Sequence, residues 1–130
     1  MQFIIFMKWG FSIVSTLVTN IFGINVEFFK ILIVFIILDY ISGILSSIVN
    51  KKLSSDIGFK GILKKIMMII VVSVCQILSH YLIEDHQVIG TVVIFFYISN
   101  ECISILENAA TMGLPIPNSI VEILMRFKED

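Results

Sequence analysis

Residues 38–65 read LDYISGILSSIVNKKLSSDIGFKGILKK, and this stretch decides the class of the protein. It begins inside one long apolar run and ends at the start of another. Over the whole chain, 58% of residues are apolar, 15% are charged and the mean hydropathy is +1.02, far above the value for a soluble domain. We therefore predict an integral membrane protein in which the basic part of this stretch lies at one bilayer surface. Five of the nine basic residues lie in that part: Lys51, Lys52, Lys60, Lys64 and Lys65.

Three apolar runs predict three transmembrane helices, over residues 28–49, 66–83 and 88–106. The second run has 18 residues without a charge, which at about 1.5 Å per residue nearly cross a hydrocarbon core of about 30 Å. Asp39 interrupts the first run at a cost of roughly 2.5–3.5 kcal/mol, whereas each Ile, Leu, Val or Phe around it returns roughly 0.3–0.6 kcal/mol. All 130 residues are thus expected to form one all-α membrane domain.

The distribution of charge predicts the orientation of these helices. The positive-inside rule places the basic loop, residues 50–65, in the cytoplasm and the polar turn, residues 84–87, outside. Gly58 and Gly61 are expected to interrupt the helix and to keep residues 50–65 as a loop. The five lysines are then expected to anchor the chain to anionic lipid at the inner surface.

The C-terminal tail, residues 107–130, is then cytoplasmic as well. The third helix is expected to continue to about Thr111, because Gly113 and the two prolines that follow it stop a helix. A short amphipathic helix follows, in which Ser119 and Glu122 have the spacing of a capping box.

Residues 1–26 allow two interpretations. Their polar residues recur at helical spacing opposite an apolar face, as in a helix that lies in the plane of the membrane interface. The same segment contains 18 residues without a charge and is long enough to be a fourth transmembrane helix, with its start in the cytoplasm. Both interpretations remain open at this point. The polar stripe consists of Lys8, Ser12, Ser15, Thr16 and Thr19.

Polar residues also recur on one face of the first and third predicted spans. In lipid these groups would lack hydrogen-bond partners, so they must face one another, another subunit or water. Small residues among them would let helices approach closely. We predict that this set makes helix contacts or lines a pore: Asp39, Ser42, Gly43, Ser46, Asn100, Glu101, Ser104 and Glu107.

The sequence lacks the motifs of soluble enzymes: a phosphate-binding glycine loop, a nucleophile elbow and the His and Cys spacing of a zinc site. We therefore expect no enzyme activity, no catalytic residue, no cofactor, no metal and no nucleic-acid partner. Cys75 and Cys102 both lie in apolar runs, which argues against a disulfide framework.

Three motifs occur in order along the chain, and a Gly-x-Pro-x-Pro segment at residues 113–117 follows them. They are Asp39-Tyr40-x-x-Gly43, Ser54-Ser55-x-x-Gly58-x-x-Gly61 and Asn100-Glu101-x-x-Ser104-x-x-Glu107-Asn108. Over residues 28–126 the chain resembles the small phage holins of the toxin secretion/phage lysis family. One position departs from the pattern, since His80 stands where an acid is expected near the outer end of the second span.

The resemblance implies a multi-pass protein of the bacterial cytoplasmic membrane whose partners are the lipid bilayer and further copies of itself. Such a homo-oligomer opens pores or lesions that lead to cytolysis. An endolysin, or a large toxin without a signal peptide, passes through without necessarily binding.

The residue pattern alone also fits a second class of protein. This is a small proton-coupled transporter or ion channel acting as a dimer, in which an acid within the membrane, such as Glu101, titrates with substrate binding. A subunit that only scaffolds a partner is a third alternative.

Overall fold

The computed structural model describes residues 1–82 and 87–129, and within them all regular structure is helical. A 3₁₀ turn, Gly23–Asn25, joins the first two helices, and a π-helical turn, Leu78–Leu82, extends the third. The prediction of an all-α protein is confirmed. The helices are α1 (Gln2–Phe22), α2 (Val26–Val49), α3 (Ser55–Ile77), α4 (Val88–Thr111) and α5 (Asn118–Glu129).

Three segments of the described chain are long and apolar enough to cross a membrane. They are Gln2–Val49, which contains both α1 and α2, then Ser55–Leu82 and Val88–Thr111. With 24 residues each, α2 and α4 are about 36 Å long and exceed a hydrocarbon core of about 30 Å. The three predicted spans are therefore present, each longer than the run that predicted it.

Helices α2, α3 and α4 form the bundle. Helix α2 packs most extensively against α4, and the two run in the same direction because α3 returns the chain between them. The buried faces of α2 and α4 start apolar and become polar along the helix: Leu32 and Ile36 are followed by Asp39 on α2, and Ile94 is followed by Glu101 on α4. Spacings of three, four and seven residues put each set on one helix face. The bundle thus has an apolar core at one level and a polar one at another.

The α2–α3 connection marks what we call the basic end of the bundle, defined by the exposed side chains of Lys51, Lys52, Lys60 and Lys64. Helix α2 ends there in a Schellman motif, in which the N–H of Lys52 donates to the carbonyl of Ser47 at 2.9 Å. Lys51 takes the left-handed position of that motif, with φ 56°. Helix α4 ends in the same motif with Gly113 at φ 92°, as its glycine predicted.

Two expectations about helix starts are wrong. Helix α3 begins at Ser55 and runs through Gly58 and Gly61, so the loop expected over residues 50–65 covers only residues 50–54. A glycine inside a helix costs only about 1 kcal/mol, and packing against the bundle overrides it. Helix α5 begins at Asn118, and the carbonyl of Pro117 accepts the N–H of Ile120 at 3.2 Å. Ser119 therefore lies inside the first turn and does not cap the helix.

Helix α1 joins the bundle only through its last turns. Phe22 is buried and its ring stacks on that of Phe29 at 4.0 Å, while the residues before Val18 are exposed. Within the polar stripe, the hydroxyls of Thr16 and Thr19 donate to backbone carbonyls four residues earlier, each at 2.9 Å. These two hydroxyls therefore need neither water nor another helix as a hydrogen-bond partner. Both interpretations of the segment remain predictions, and of the polar turn over residues 84–87 only Gln87 lies within the described part of the chain.

Candidate functional site

A charged triad ties the three bundle helices together. The Lys65 ammonium on α3 lies 2.6 Å from Asp39 Oδ2 on α2 and 2.8 Å from Glu101 Oε2 on α4. The side chains of Asp39, Lys65 and Glu101 are only 9%, 16% and 3% exposed. Each helix contributes one charge, so these contacts hold all three helices in register.

Neutral polar groups complete the environment of Asp39. The Asn108 amide donates to Asp39 Oδ1 at 3.1 Å and to Ser42 Oγ at 2.9 Å. The Ser42 hydroxyl in turn donates to the backbone carbonyl of Asp39 at 2.9 Å. Closer to the basic end, the hydroxyls of Ser46 on α2 and Thr111 on α4 are hydrogen-bonded to each other. Polar contacts therefore occur at several levels along the second half of the α2–α4 interface.

The triad lies well inside the length of the bundle. Asp39 follows the start of α2 by 13 residues and Glu101 follows the start of α4 by 13, which is about 20 Å of helix in each case. Because each of these helices is about 36 Å long, the triad lies slightly more than halfway along them toward the basic end. Charges at such depth persist only when paired or hydrated.

A cavity of about 230 Å³ leads from the basic end to the triad. Asp39 and Lys65 form part of its wall, and Gly58 and Gly61 from the first turns of α3 line it nearer the loop. On the other side of the triad the buried side chains of Leu32, Ile36, Val72 and Ile94 fill the bundle. Asp39 and Lys65 are thus accessible from the basic end, Glu101 lies behind them, and the opposite side is closed. Other polar lining groups include Tyr40, Ser54, Ser104 and Asn108.

A second, neutral cluster lies at the opposite end of the bundle. The Asn25 amide donates to Gln76 Oε1 at 2.9 Å, and Gln76 Nε2 donates to the carbonyl of Gly90 at 2.7 Å. The Thr91 hydroxyl donates to Asn25 Oδ1 at 3.2 Å. A Cβ at position 90 would lie 2.7 Å from Gln76 Oε1, so glycine is required for this close approach. The cluster links the turn before α2 to α3 and α4.

The structure brings together most of the residues expected to make helix contacts or line a pore. Asp39, Ser42, Ser46 and Glu101 all lie in the α2–α4 interface or the triad, and a Cβ at Gly43 would lie 3.7 Å from Asn108. Their role in a pore stays a prediction. Three residues lie outside these contacts: Ser104 lines the cavity, Asn100 is half-buried, and Glu107 is exposed and lines a groove between α4 and α5.

Lys65 lies in a different place from the one expected. The sequence predicts a surface anchor, but the Lys65 ammonium is inside the bundle, whereas Lys51, Lys52, Lys60 and Lys64 are exposed. Two acids in apolar runs require a cation within reach, and Lys65 is the basic residue that directly precedes the second run. This requirement is the sequence signal that points to Lys65 as their partner. Among the residues that sequence reasoning missed, Asn25 and Thr91 carry no such signal because they lie at helix ends.

No three His, Cys, Asp or Glu side chains are grouped as metal ligands would be, as far as the structure describes the chain. The site is therefore defined by its acid–base–acid triad and the cavity beside it.

An all-α fold with three membrane-length segments and charges paired at depth defines a multi-pass membrane protein. The sequence pattern of the bacteriophage holin family matches residues 16–129, and the chain belongs to that family. The match begins earlier than the resemblance over residues 28–126 and includes the last turns of α1.

The relatives are of similar length. An uncharacterised 14.9 kDa protein from the nagH 3′ region of Clostridium perfringens is 40% identical over 122 residues, covering 94% of this chain and 92% of that protein. An uncharacterised protein of Listeria monocytogenes is 37% identical over 95% of this chain and 87% of its own length. One from Bacillus subtilis is 32% identical over 85% of this chain and 77% of its own length. No solved structure matches the chain.

Proposed function

We propose that the protein is a holin: a non-enzymatic protein that self-assembles in the bacterial cytoplasmic membrane into pores or lesions. These would release an endolysin, and so cause host lysis, or a large toxin without a signal peptide. Membership of the holin family supports this proposal. The observation that carries it is the pairing of polar faces across α2, α3 and α4 within a single chain.

This pairing gives the closed form of the protein. Polar contacts between helices in a membrane are worth about 0.6–2 kcal/mol each, so several of them hold the three helices together. If the helices part and several chains associate, the same groups can face a shared aqueous opening, where hydration replaces the lost contacts. Opening therefore requires the triad to separate or rearrange.

The basic end of the bundle is proposed to lie in the cytoplasm. Four exposed lysines there favour the inner, anionic leaflet at about 1 kcal/mol each. Because α2 and α4 run in the same direction, α5 lies at this end too, and its exposed Arg126 agrees with a cytoplasmic C-terminus.

The test is induced expression in a bacterium, with and without a separately expressed endolysin. We expect an abrupt collapse of membrane potential in both cultures, and lysis only where the endolysin is present. Protein in the membrane fraction is quantified so that both cultures are compared at equal level. A membrane potential that stays unchanged while the protein accumulates in the membrane would contradict the proposal.

A small proton-coupled transporter or ion channel, acting as a dimer, is the second candidate. The charged triad with a cavity on one side favours it, because membrane-embedded acids open to one side are typical of proton relays. The size of the released cargo separates the two functions. Liposomes containing the purified protein should release an enclosed protein if it is a holin, and only protons or small ions if it is a transporter.

A further inference from the structure

The triad carries an unbalanced charge. Two carboxylates and one ammonium sum to one negative charge, and all three side chains are at most 16% exposed. Isolating a net charge from water costs several kcal/mol unless another charge compensates it. Asn108 satisfies an oxygen of Asp39 by hydrogen bonding but adds no charge. Lys60 and Lys64 on the same helix are exposed to solvent.

The cavity supplies a route for a compensating ion. Its volume of about 230 Å³ holds several water molecules, and it reaches Asp39 and Lys65 from the basic end. The other lining groups near the triad are the Ser104 hydroxyl and the Asn108 amide, which offer oxygen ligands. Oxygen donors are the ones that hard cations prefer. The apolar core on the far side prevents passage to the opposite end.

We propose that the triad and its cavity bind one monovalent cation, a proton or an alkali ion, taken up from the basic end of the bundle. A single positive charge makes the site neutral, whereas a divalent ion would leave an excess positive charge beside the Lys65 ammonium. The titratable groups around the site are Asp39 and Tyr40 on α2, Lys65 on α3, and Glu101 with the adjacent half-buried Cys102 on α4. This proposal concerns the isolated chain and does not depend on lesion formation.

The experiment uses the purified full chain in lipid nanodiscs. Unfolding is followed by far-ultraviolet circular dichroism in choline chloride solution. In the first series of samples, Na⁺ or K⁺ replaces choline at constant pH and ionic strength. A second series lowers the pH in choline alone. Infrared spectra of the same samples report whether a carboxyl group stays protonated at pH values where ordinary acids are ionised.

The test variants are Asp39→Asn and Glu101→Gln, each of which leaves one carboxylate with Lys65 and so makes the site neutral. The control is Glu122→Gln, the same chemical change at an exposed position on α5. A cation at ten times its Kd should raise the folded-to-unfolded ratio of the natural chain and of the control about elevenfold. In the two triad variants this dependence should fall below about twofold.

The two series identify the cation. A response to Na⁺ or K⁺ assigns an alkali ion, whereas a response to pH in choline, or a protonated carboxyl band that both triad variants lose, assigns a proton. The amide side chains keep the size of the natural ones, and the dichroism spectrum verifies the fold of each variant. The proposal is overturned if the natural chain shows none of these signals, or if both triad variants respond as Glu122→Gln does.

Discussion

Replacing Lys65 by methionine tests the energetic role of the triad. Methionine has a similar length and no charge, so the change leaves two buried carboxylates facing each other. Because the ammonium lies 2.6 and 2.8 Å from them, the two carboxylate oxygens are no more than about 5.4 Å apart. At an effective dielectric constant of about 20, two ionised carboxylates at that distance repel by about 3 kcal/mol or more, and a proton or alkali ion held between them would reduce this repulsion. Removing one partner of a buried ion pair typically costs about 3–5 kcal/mol, in agreement with this figure.

That loss is a large fraction of a total stability of about 5–15 kcal/mol. The assay is equilibrium unfolding of the purified chain in mixed micelles, followed by circular dichroism. The matched control is Lys64→Met, the same change one residue away at an exposed position, for which less than about 0.5 kcal/mol is expected. Adding Asp39→Asn to Lys65→Met should recover part of the loss by removing the repulsion. If Lys65→Met is no more destabilising than Lys64→Met, the triad does not hold the helices together.

Three further substitutions test other parts of the bundle by the same unfolding assay. Gly90→Ala should cost about 1–3 kcal/mol because the new methyl group displaces Gln76 from its hydrogen bonds. Gly61→Ala has open space around it and should be neutral or stabilising by up to about 1 kcal/mol. Equal effects of the two substitutions on stability would contradict the requirement for glycine at position 90. Lys51→Gly should stabilise the chain by up to about 1 kcal/mol by relieving the left-handed backbone at the end of α2, and a loss of stability would refute that reasoning. Asn108→Leu should cost about 1–3 kcal/mol, since it removes the amide that donates hydrogen bonds to Asp39 and Ser42. An unchanged stability would show that these contacts are dispensable.

Much of the fold follows from the sequence because a membrane imposes simple rules. Apolar length predicts the spanning helices, and Gly113 correctly predicts where α4 ends. The sequence predicts a later start for α3 than the structure shows, because glycine propensity alone does not include the packing of Gly58 against the bundle. A Cβ at Gly58 would lie 3.5 Å from the Tyr40 hydroxyl. Tertiary contact outweighs a propensity difference of about 1 kcal/mol.

The candidate site was only half predictable. Asp39 and Glu101 stand out because an acid in an apolar run needs a partner, and helical spacing correctly groups Ser42 and Ser46 with Asp39. The sequence does not identify the partner of these acids, since Lys65 belongs to a basic stretch whose other members are exposed. Which lysine turns inward depends on the rotation of α3 relative to α2 and α4, and a single sequence does not give that rotation.

In the proposed opening the bundle helices part so that their polar faces can line a lesion, and a covalent lock between α2 and α4 tests this step most directly. The hydroxyls of Ser46 and Thr111 are hydrogen-bonded to each other, so cysteines at these two positions should form a disulfide across the interface. The double variant Ser46→Cys, Thr111→Cys is made in a chain whose two natural cysteines are replaced by alanine. The measurement is release of a fluorescent protein from liposomes before and after reduction, with Ser46→Cys alone as the control. We predict no release from the oxidised double variant and, after reduction, release equal to that of the control. Equal release in the oxidised and reduced states, or no release in either, would contradict the account.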